Sequence, residues 1–338
     1  PLQRTAAALP EKARAPERVG SAIAAAFSSE RQRRKRALWQ DEADGGLATR
    51  PADLTSDRRP PLQRVRESWR ETGYPHRLDS AITEPRLSRC VTIAVVSPKG
   101  GVGKTTMAAL IGSLLSRLRH ERMVAVDANP DYGSLGRTLT PEHGIFVDDL
   151  IDILANPDLT AIELDRKLGR GFDGLRVLPA PTDPARMARL DRLAYATVFK
   201  RLQTMVDGLI LDCGTGLQEP RSQAAIEAAD QIVLVSDAEP STASLVAEAA
   251  DLLKRSDLPF YLVVNKMPRS NGQLNLDALS RAVRDAQTLV TLRARPLTAS
   301  RVSSGEFSWD RPPDDWALAL RELCAVMVAD WPDLGLST

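Results

Sequence analysis

Aromatic residues make up only 4% of the 338 positions, so any core must be built from aliphatic side chains. Cysteine is also scarce: Cys90, Cys213 and Cys324 are scattered, odd in number, and form no CxxC pair. That pattern excludes a disulfide framework and a cysteine-rich zinc site; reduced thiols in a cytoplasmic protein are expected. No run of 18 apolar residues occurs and no secretory signal is legible, so no membrane-spanning helix is expected. The first residue is Pro1 rather than Met, as expected of a processed product or a fragment of something longer. Net charge is also nearly absent, at +1, but it is unevenly spread. Residues 1–89 carry 18 Lys+Arg against 12 Asp+Glu, a net of +6, and the remainder carries 27 against 32, a net of −5.

What is present divides the chain in two. Residues 1–88 read as a basic, proline-bearing leader, poorly ordered or partly helical, with prolines at 10, 16, 51, 60, 61, 75 and 85. One helix is expected through "ERVGSAIAAAFSSERQRRKRALW", which contains the run Arg31-Gln32-Arg33-Arg34-Lys35-Arg36. That run reads either as an arm for DNA, RNA or another acidic surface, or as a solvated basic face or linker.

Residues 89–338 read as one domain. Short apolar runs ("VTIAVVS", "RMVAVD", "GLRVLPA", "GLILDC", "QIVLVSD", "FYLVVNK", "TLVTLRA") alternate with helical stretches at 104–119, 146–155, 184–205, 220–229, 240–256 and 275–286. Strands that are apolar throughout imply a sheet covered on both faces, and the alternation implies an α/β, doubly wound, mostly parallel sheet flanked by helices. The helix around "DDWALALRELCAVMVADW" has too few basic residues for a membrane-surface helix and is expected to pack on the domain.

The sharpest signal is "SPKGGVGKTT", Ser97 to Thr106, between an apolar run and a helical pattern. Gly100, Gly101 and Gly103 free the backbone so that successive N–H groups, including that of Val102, can turn inward onto phosphate. Lys104 suits the β- and γ-phosphates and Thr105 a magnesium ion, and Thr106, next in the first helical turn, is counted with them among the nucleotide-binding residues. A plain phosphate loop would have glycine at position 98; here Pro98 and then Lys99 follow instead.

With "KGGVGKTT" the chain resembles the ParA/MinD family of ATPases, whose phosphate loop has this deviant form. The resemblance covers roughly residues 88–300, and it implies a P-loop NTPase fold, ATP and Mg²⁺ as cofactors, and a homodimer formed on ATP binding. It also implies that Lys104 serves its own nucleotide while Lys99 reaches the nucleotide of the partner subunit. A cation delivered by another chain would link nucleotide state to association.

Three further stretches complete the expected site. In "VAVDANPDYGSL", Asp127 ends a strand near the loop, and the resemblance gives it a role in the water and metal shell. Family members commonly carry a second Asp two residues on; here Asn129 stands there, which can orient a water but cannot act as a base. In "GLILDCGTG", Asp212 is expected to hold the magnesium shell, and Gly214 and Gly216 to free a switch loop. In "YLVVNKMP", Asn265 and Lys266 occupy the position where relatives contact the base, and Pro268 replaces the Asp that would select guanine, favouring ATP. "VSDAEPSTAS" opens a helix at Glu239-Pro240-Ser241, read either as part of a dimer face or as an ordinary helix start.

The resulting expectation is a slow, partner-stimulated ATPase that works as a dimerising switch. It would position or regulate a cargo or machine in partitioning, division or secretion, together with a protein activator or cargo. "DANPDYGSLG" with "LDCGTG" is closer in wording to MinD-like proteins of actinobacterial secretion and transfer systems than to plasmid ParA. Two alternatives stay open: a nucleotide-gated scaffold that barely hydrolyses ATP, and a partition ATPase that binds DNA through its leader.

Overall fold

The computed structural model describes residues 73–129, 134–140, 144–154, 156, 158–269 and 273–337. The basic run Arg31–Arg36 and the leader helix that carries it lie outside the described residues.

Eight strands form one sheet: β1 (Val91–Ser97), β2 (Met123–Ala128), β3 (Gly169–Arg170), β4 (Arg176–Leu178), β5 (Gly208–Thr215), β6 (Gln231–Ser236), β7 (Phe260–Met267) and β8 (Leu289–Arg293). Their order is β3-β4-β2-β5-β1-β6-β7-β8, and only the β3–β4 pairing is antiparallel. Every residue of β1, β2 and β6 is buried, as expected of strands covered on both faces. The β1–β2 connection runs to one side of β1, and the β5–β6 connection carries the chain across to the other. The loops after β1, β2, β5, β6 and β7 therefore share the carboxyl edge on either side of β1, where open parallel sheets bind ligands.

Helix α2 (Lys104–Arg119) follows β1. It buries Leu110, Ile111, Leu114 and Leu115 against the sheet and ends at His120, whose left-handed backbone lets its N–H reach Ser116 O. The helix after β6 is α9 (Pro240–Leu253), and the last helix is α12 (Asp314–Ala329), which buries Trp316, Leu320, Leu323 and Val328 within the domain. Between α2 and α9 lie α3 (Ser134–Leu139), α4 (Val147–Leu154), α5 (Ala161–Lys167), α6 (Pro184–Met187), α7 (Arg192–Leu202) and α8 (Pro220–Ala228). After α9 come α10 (Leu276–Ala282) and α11 (Pro296–Ser303).

Besides β3, α3, α5 and α11, which the sequence reading did not contain, three stretches differ from it. The helix expected over 184–205 is two helices, α6 and α7, because Asp183 and Asp191 each cap a new start. The helix expected over 275–286 is confined to Leu276–Ala282. Within the stretch assigned to the leader, residues Tyr74–Thr83 form helix α1, which packs on α12 and buries Leu78 and Ile82 completely. Arg321 of α12 donates to Asp79 at 2.7 Å. Residues 85–88 are also tied down: Arg119 donates to the carbonyls of Ile82 and Pro85 while stacking on Trp331, and Ser88 N–H donates to Leu336 O.

Candidate nucleotide site

The loop after β1 is closed by its own first residue. Ser97 Oγ accepts the Lys99 N–H and donates to the Lys99 carbonyl. Gly101 and Gly103 have φ of 77° and 101°, a region that favours glycine. At Gly103 a Cβ would also lie 2.4 Å from Asn265 Nδ2, so both backbone conformation and close approach exclude a side chain there.

The end of β7 supports this loop from the other side. Asn265 Nδ2 donates to Val102 O at 2.8 Å, and Lys266 Nζ donates to Gly101 O. The two residues read from sequence as base contacts thus brace phosphate-loop carbonyls. Helix α2 opens at Gly103 with no side-chain cap, and Lys104 is buried at its start with Thr105 and Thr106 half-buried beside it. An uncapped helix start with a lysine at its first position suits an anion.

The carboxylates stand on neighbouring strands, with Asp127 and Asp212 directly opposite in the β2–β5 register. Both are fully buried, and their roles diverge. Asp127 is committed to backbone: Oδ1 accepts the Asn129 N–H and Oδ2 the Leu135 N–H, each at 3.0 Å, so it pins the turn after β2. Tyr195 Oη donates to the Asp127 carbonyl. Asp212 Oδ2 accepts the Thr105 hydroxyl at 2.7 Å, while Asp212 Oδ1 is buried with no partner. Burial pushes both carboxyl groups up; the neighbouring Asp212 charge adds to the rise at Asp127, whereas Thr105 and the Lys104 ammonium oppose it at Asp212.

An orphaned carboxylate oxygen beside a threonine hydroxyl fits a hard cation that takes oxygen ligands. Among the described residues no cluster of three His, Cys, Asp or Glu could cage a metal alone, so a cation here would draw on phosphate and water for its remaining ligands. Of the three metal candidates, Thr105 and Asp212 are brought together, and Asp127 lies beside them with its oxygens already engaged.

Lys99 points elsewhere. Its amine donates to Glu239 Oε2 and to Thr242 Oγ1, both at 2.8 Å, at the start of α9. The Glu239 carboxylate, and to a lesser extent Asp237, raise the Lys99 pKa. Glu239 and Pro240 were legible as a helix start; the partnership with Lys99, and the part played by Thr242, were not.

Among the described residues no helix is long and apolar enough to cross a membrane. The chain is 27% identical over 173 residues to the ESX-1 secretion-associated protein EspI of Mycobacterium tuberculosis, covering 48% of this chain and 24% of that one. It thus matches about a quarter of that protein's length. It is 30% identical over 184 residues to the septum site-determining protein MinD of Synechocystis sp., covering 54% and 67%. Among solved structures it resembles the ParA family ATPase of Chlorobium tepidum (TM-score 0.61, 16% identity, 70% and 98% covered). It also resembles MinD of Pyrococcus horikoshii, solved with Mg-ADP (TM-score 0.57, 23% identity, 72% and 96% covered). Residues 93–308, from the first strand through the loop, both carboxylates and the bracing asparagine, match the CobQ/CobB/MinD/ParA nucleotide binding domain, and the chain belongs to that family.

Proposed function

We propose that the chain binds ATP with magnesium at this loop and hydrolyses it slowly, as a switch that dimerises on ATP. The observation that carries the reading is the unpartnered Asp212 oxygen beside Thr105 at the uncapped start of α2. In this reading Lys104 and the first N–H groups of α2 bind the phosphates, and Gly100, Gly101, Val102 and Thr106 shape the cradle. Thr105 and Asp212 hold the magnesium, with Asp127 fixing the turn beside it. Magnesium bound there would neutralise phosphate charge. Asn265 and Lys266 hold the loop open, and Lys99 serves the nucleotide of a second copy. The likeness to EspI and to MinD supports a machine-associated role, in secretion or in division, with a protein partner.

The test is molecular mass in solution with ADP and with a slowly hydrolysed ATP analogue. A monomer with ADP and a dimer with the analogue are expected; equal masses sink the switch.

One observation favours a scaffold that holds ATP without turning it over. Position 129 carries an amide, and both Asp127 oxygens are occupied by backbone N–H groups. Steady-state phosphate release, with Lys104→Ala as blank, separates the two: turnover well above the blank excludes the scaffold. DNA binding through Arg31–Arg36 is tested by DNA retention at rising salt, with and without residues 1–40.

A further inference from the structure

The turn that carries Asn129 hangs from one residue. Asp127 accepts the N–H groups of Asn129 and Leu135 on its two oxygens, and the Ala180 N–H also bonds to it. Where Asp127 sits therefore fixes where Asn129 sits. In the sheet Asp127 pairs with Asp212 of β5, whereas β4 ends at Leu178, opposite Val126 and one residue short of it. There Tyr195 reaches in from α7 and donates its hydroxyl to the Asp127 carbonyl at 3.1 Å. Helix α7 is built to deliver that hydroxyl. Asp191 starts the helix by accepting the Ala194 N–H at 2.8 Å. Tyr195, Val198, Phe199 and Leu202 then recur at helical spacing and are all completely buried. The Tyr195 ring lies beside that of Phe199, with centroids 5.6 Å apart. A phenylalanine would fill the same space, so the hydroxyl is not there for packing; buried, it costs stability unless it is bonded. Burial, with the Asp127 charge adding to it, pushes its pKa well up, so it stays protonated and remains a donor. Arg221 and Glu219, at the start of α8 after β5, are close enough to act on the same hydroxyl. Tyr195 thus stands between the turn after β2 and the segment after β5, both at the carboxyl edge of the sheet.

We propose that Tyr195 is a positioning residue for hydrolysis: through the Asp127 carbonyl it holds the turn on which Asn129 presents its amide to the attacking water. The proposal rests on the hydrolytic reading given above. Tyr195 acts only through the turn. Asp127 leaves the phosphates to Lys104 and the start of α2, so a fault passed on through Asp127 displaces the water and not the nucleotide. Without the hydroxyl the Asp127 carbonyl loses a buried donor, and the turn gains freedom that the remaining N–H bonds to the Asp127 side chain only partly restrain.

Two measurements test this role, each with Val198→Ala as the structural control, since it removes buried bulk from the same face of α7 without touching the hydroxyl. In the nucleotide-free protein, backbone amide exchange at Asn129 and Leu135 is read by NMR. Tyr195→Phe should quicken both amides about three- to tenfold, and Val198→Ala should quicken them much less. Equal exchange in wild type and Tyr195→Phe overturns the link to the turn, whether or not the chain turns ATP over. The second measurement is steady-state phosphate release, with Lys104→Ala as blank. Tyr195→Phe should lower kcat about three- to tenfold at unchanged KM for ATP, and Val198→Ala should leave kcat at the wild-type value. Asn129→Ala should lower kcat as well, and adding Tyr195→Phe to it should cost nothing more, because both changes act on one water. The same loss with and without the Asn129 amide, a loss in KM in place of kcat, or an equal loss in Val198→Ala overturns the positioning role and leaves the ATPase reading standing. Wild-type turnover no higher than the blank removes hydrolysis, and the positioning role with it.

Discussion

Thr105 Oγ1 donates to Asp212 Oδ2 at 2.7 Å, and the other oxygen of the same carboxylate is buried with no donor. A carboxylate left half satisfied in a protein interior costs stability unless a ligand completes it. Here the half-satisfied carboxylate stands close enough to Lys104 to feel its charge.

The first prediction follows directly. Asp212→Ala should lower magnesium-dependent nucleotide affinity by about 10- to 100-fold while leaving magnesium-free affinity much less affected. Titration of a fluorescent nucleotide with and without magnesium measures both. A loss that is the same in both conditions would show that Asp212 only shapes the loop.

Asn265 offers a cleaner choice between two roles. Its amide satisfies Val102 O, and removing it leaves a buried carbonyl unpaired, at about 1–3 kcal/mol. Asn265→Ala should therefore weaken ATP and GTP binding by the same factor, because the damage lies in the loop. A change in the ATP/GTP ratio instead would support the base-contact role read from the sequence.

How much could be read in advance depended on where the signal lay along the chain. The central strands were legible because burial on both faces makes them apolar throughout. Strand β3 has two residues, Gly169 and Arg170, with no pattern to find. Helix α1 escaped notice because Leu78 and Ile82 are its only buried residues, one turn apart and flanked by prolines. The loop was legible because phosphate binding needs glycines at fixed spacing. The Lys99–Glu239 pair was not, since 140 residues separate its members and only the β1–β6 adjacency joins them. Nor could the sequence show that Asn265 braces the loop, because the same residue type serves either purpose.

The buried carboxylates predict a pH dependence. Both have folded-state pKa values raised above the ordinary range, chiefly by burial. Such groups favour the folded state when protonated: that stability is full below about pH 4, the unfolded value, and is lost as pH rises through the elevated folded values. Asp212→Asn removes one of the two charges. In nucleotide-free protein without magnesium, its melting temperature should exceed wild type at pH 7.5, and the gap should narrow at pH 5.5. Comparing the variant with wild type at each pH cancels the other titrating groups. A gap that widens on acidification would contradict the raised values.

The last prediction concerns where the folded unit starts. Helix α1 lies within the stretch that composition alone assigns to the leader, yet Leu78 and Ile82 are completely buried against α12, and Arg119 reaches back to carbonyls in the same segment. Leu78→Ala should cost about 2–5 kcal/mol, which for a domain of this size lowers the melting temperature by roughly 4–15 °C. Truncation should show a step rather than a slope. Removing residues 1–72 should leave the melting temperature of the remainder nearly unchanged, because α1 stays in place. Removing residues 1–88 strips α1 from α12, taking away the partners of Arg321 and Glu322 and uncovering the face of α12 that α1 packs on, so the product should melt lower and bind apolar dyes. If both truncations melt alike, α1 is a passenger on α12, and the basic leader extends to residue 88 as its composition suggests.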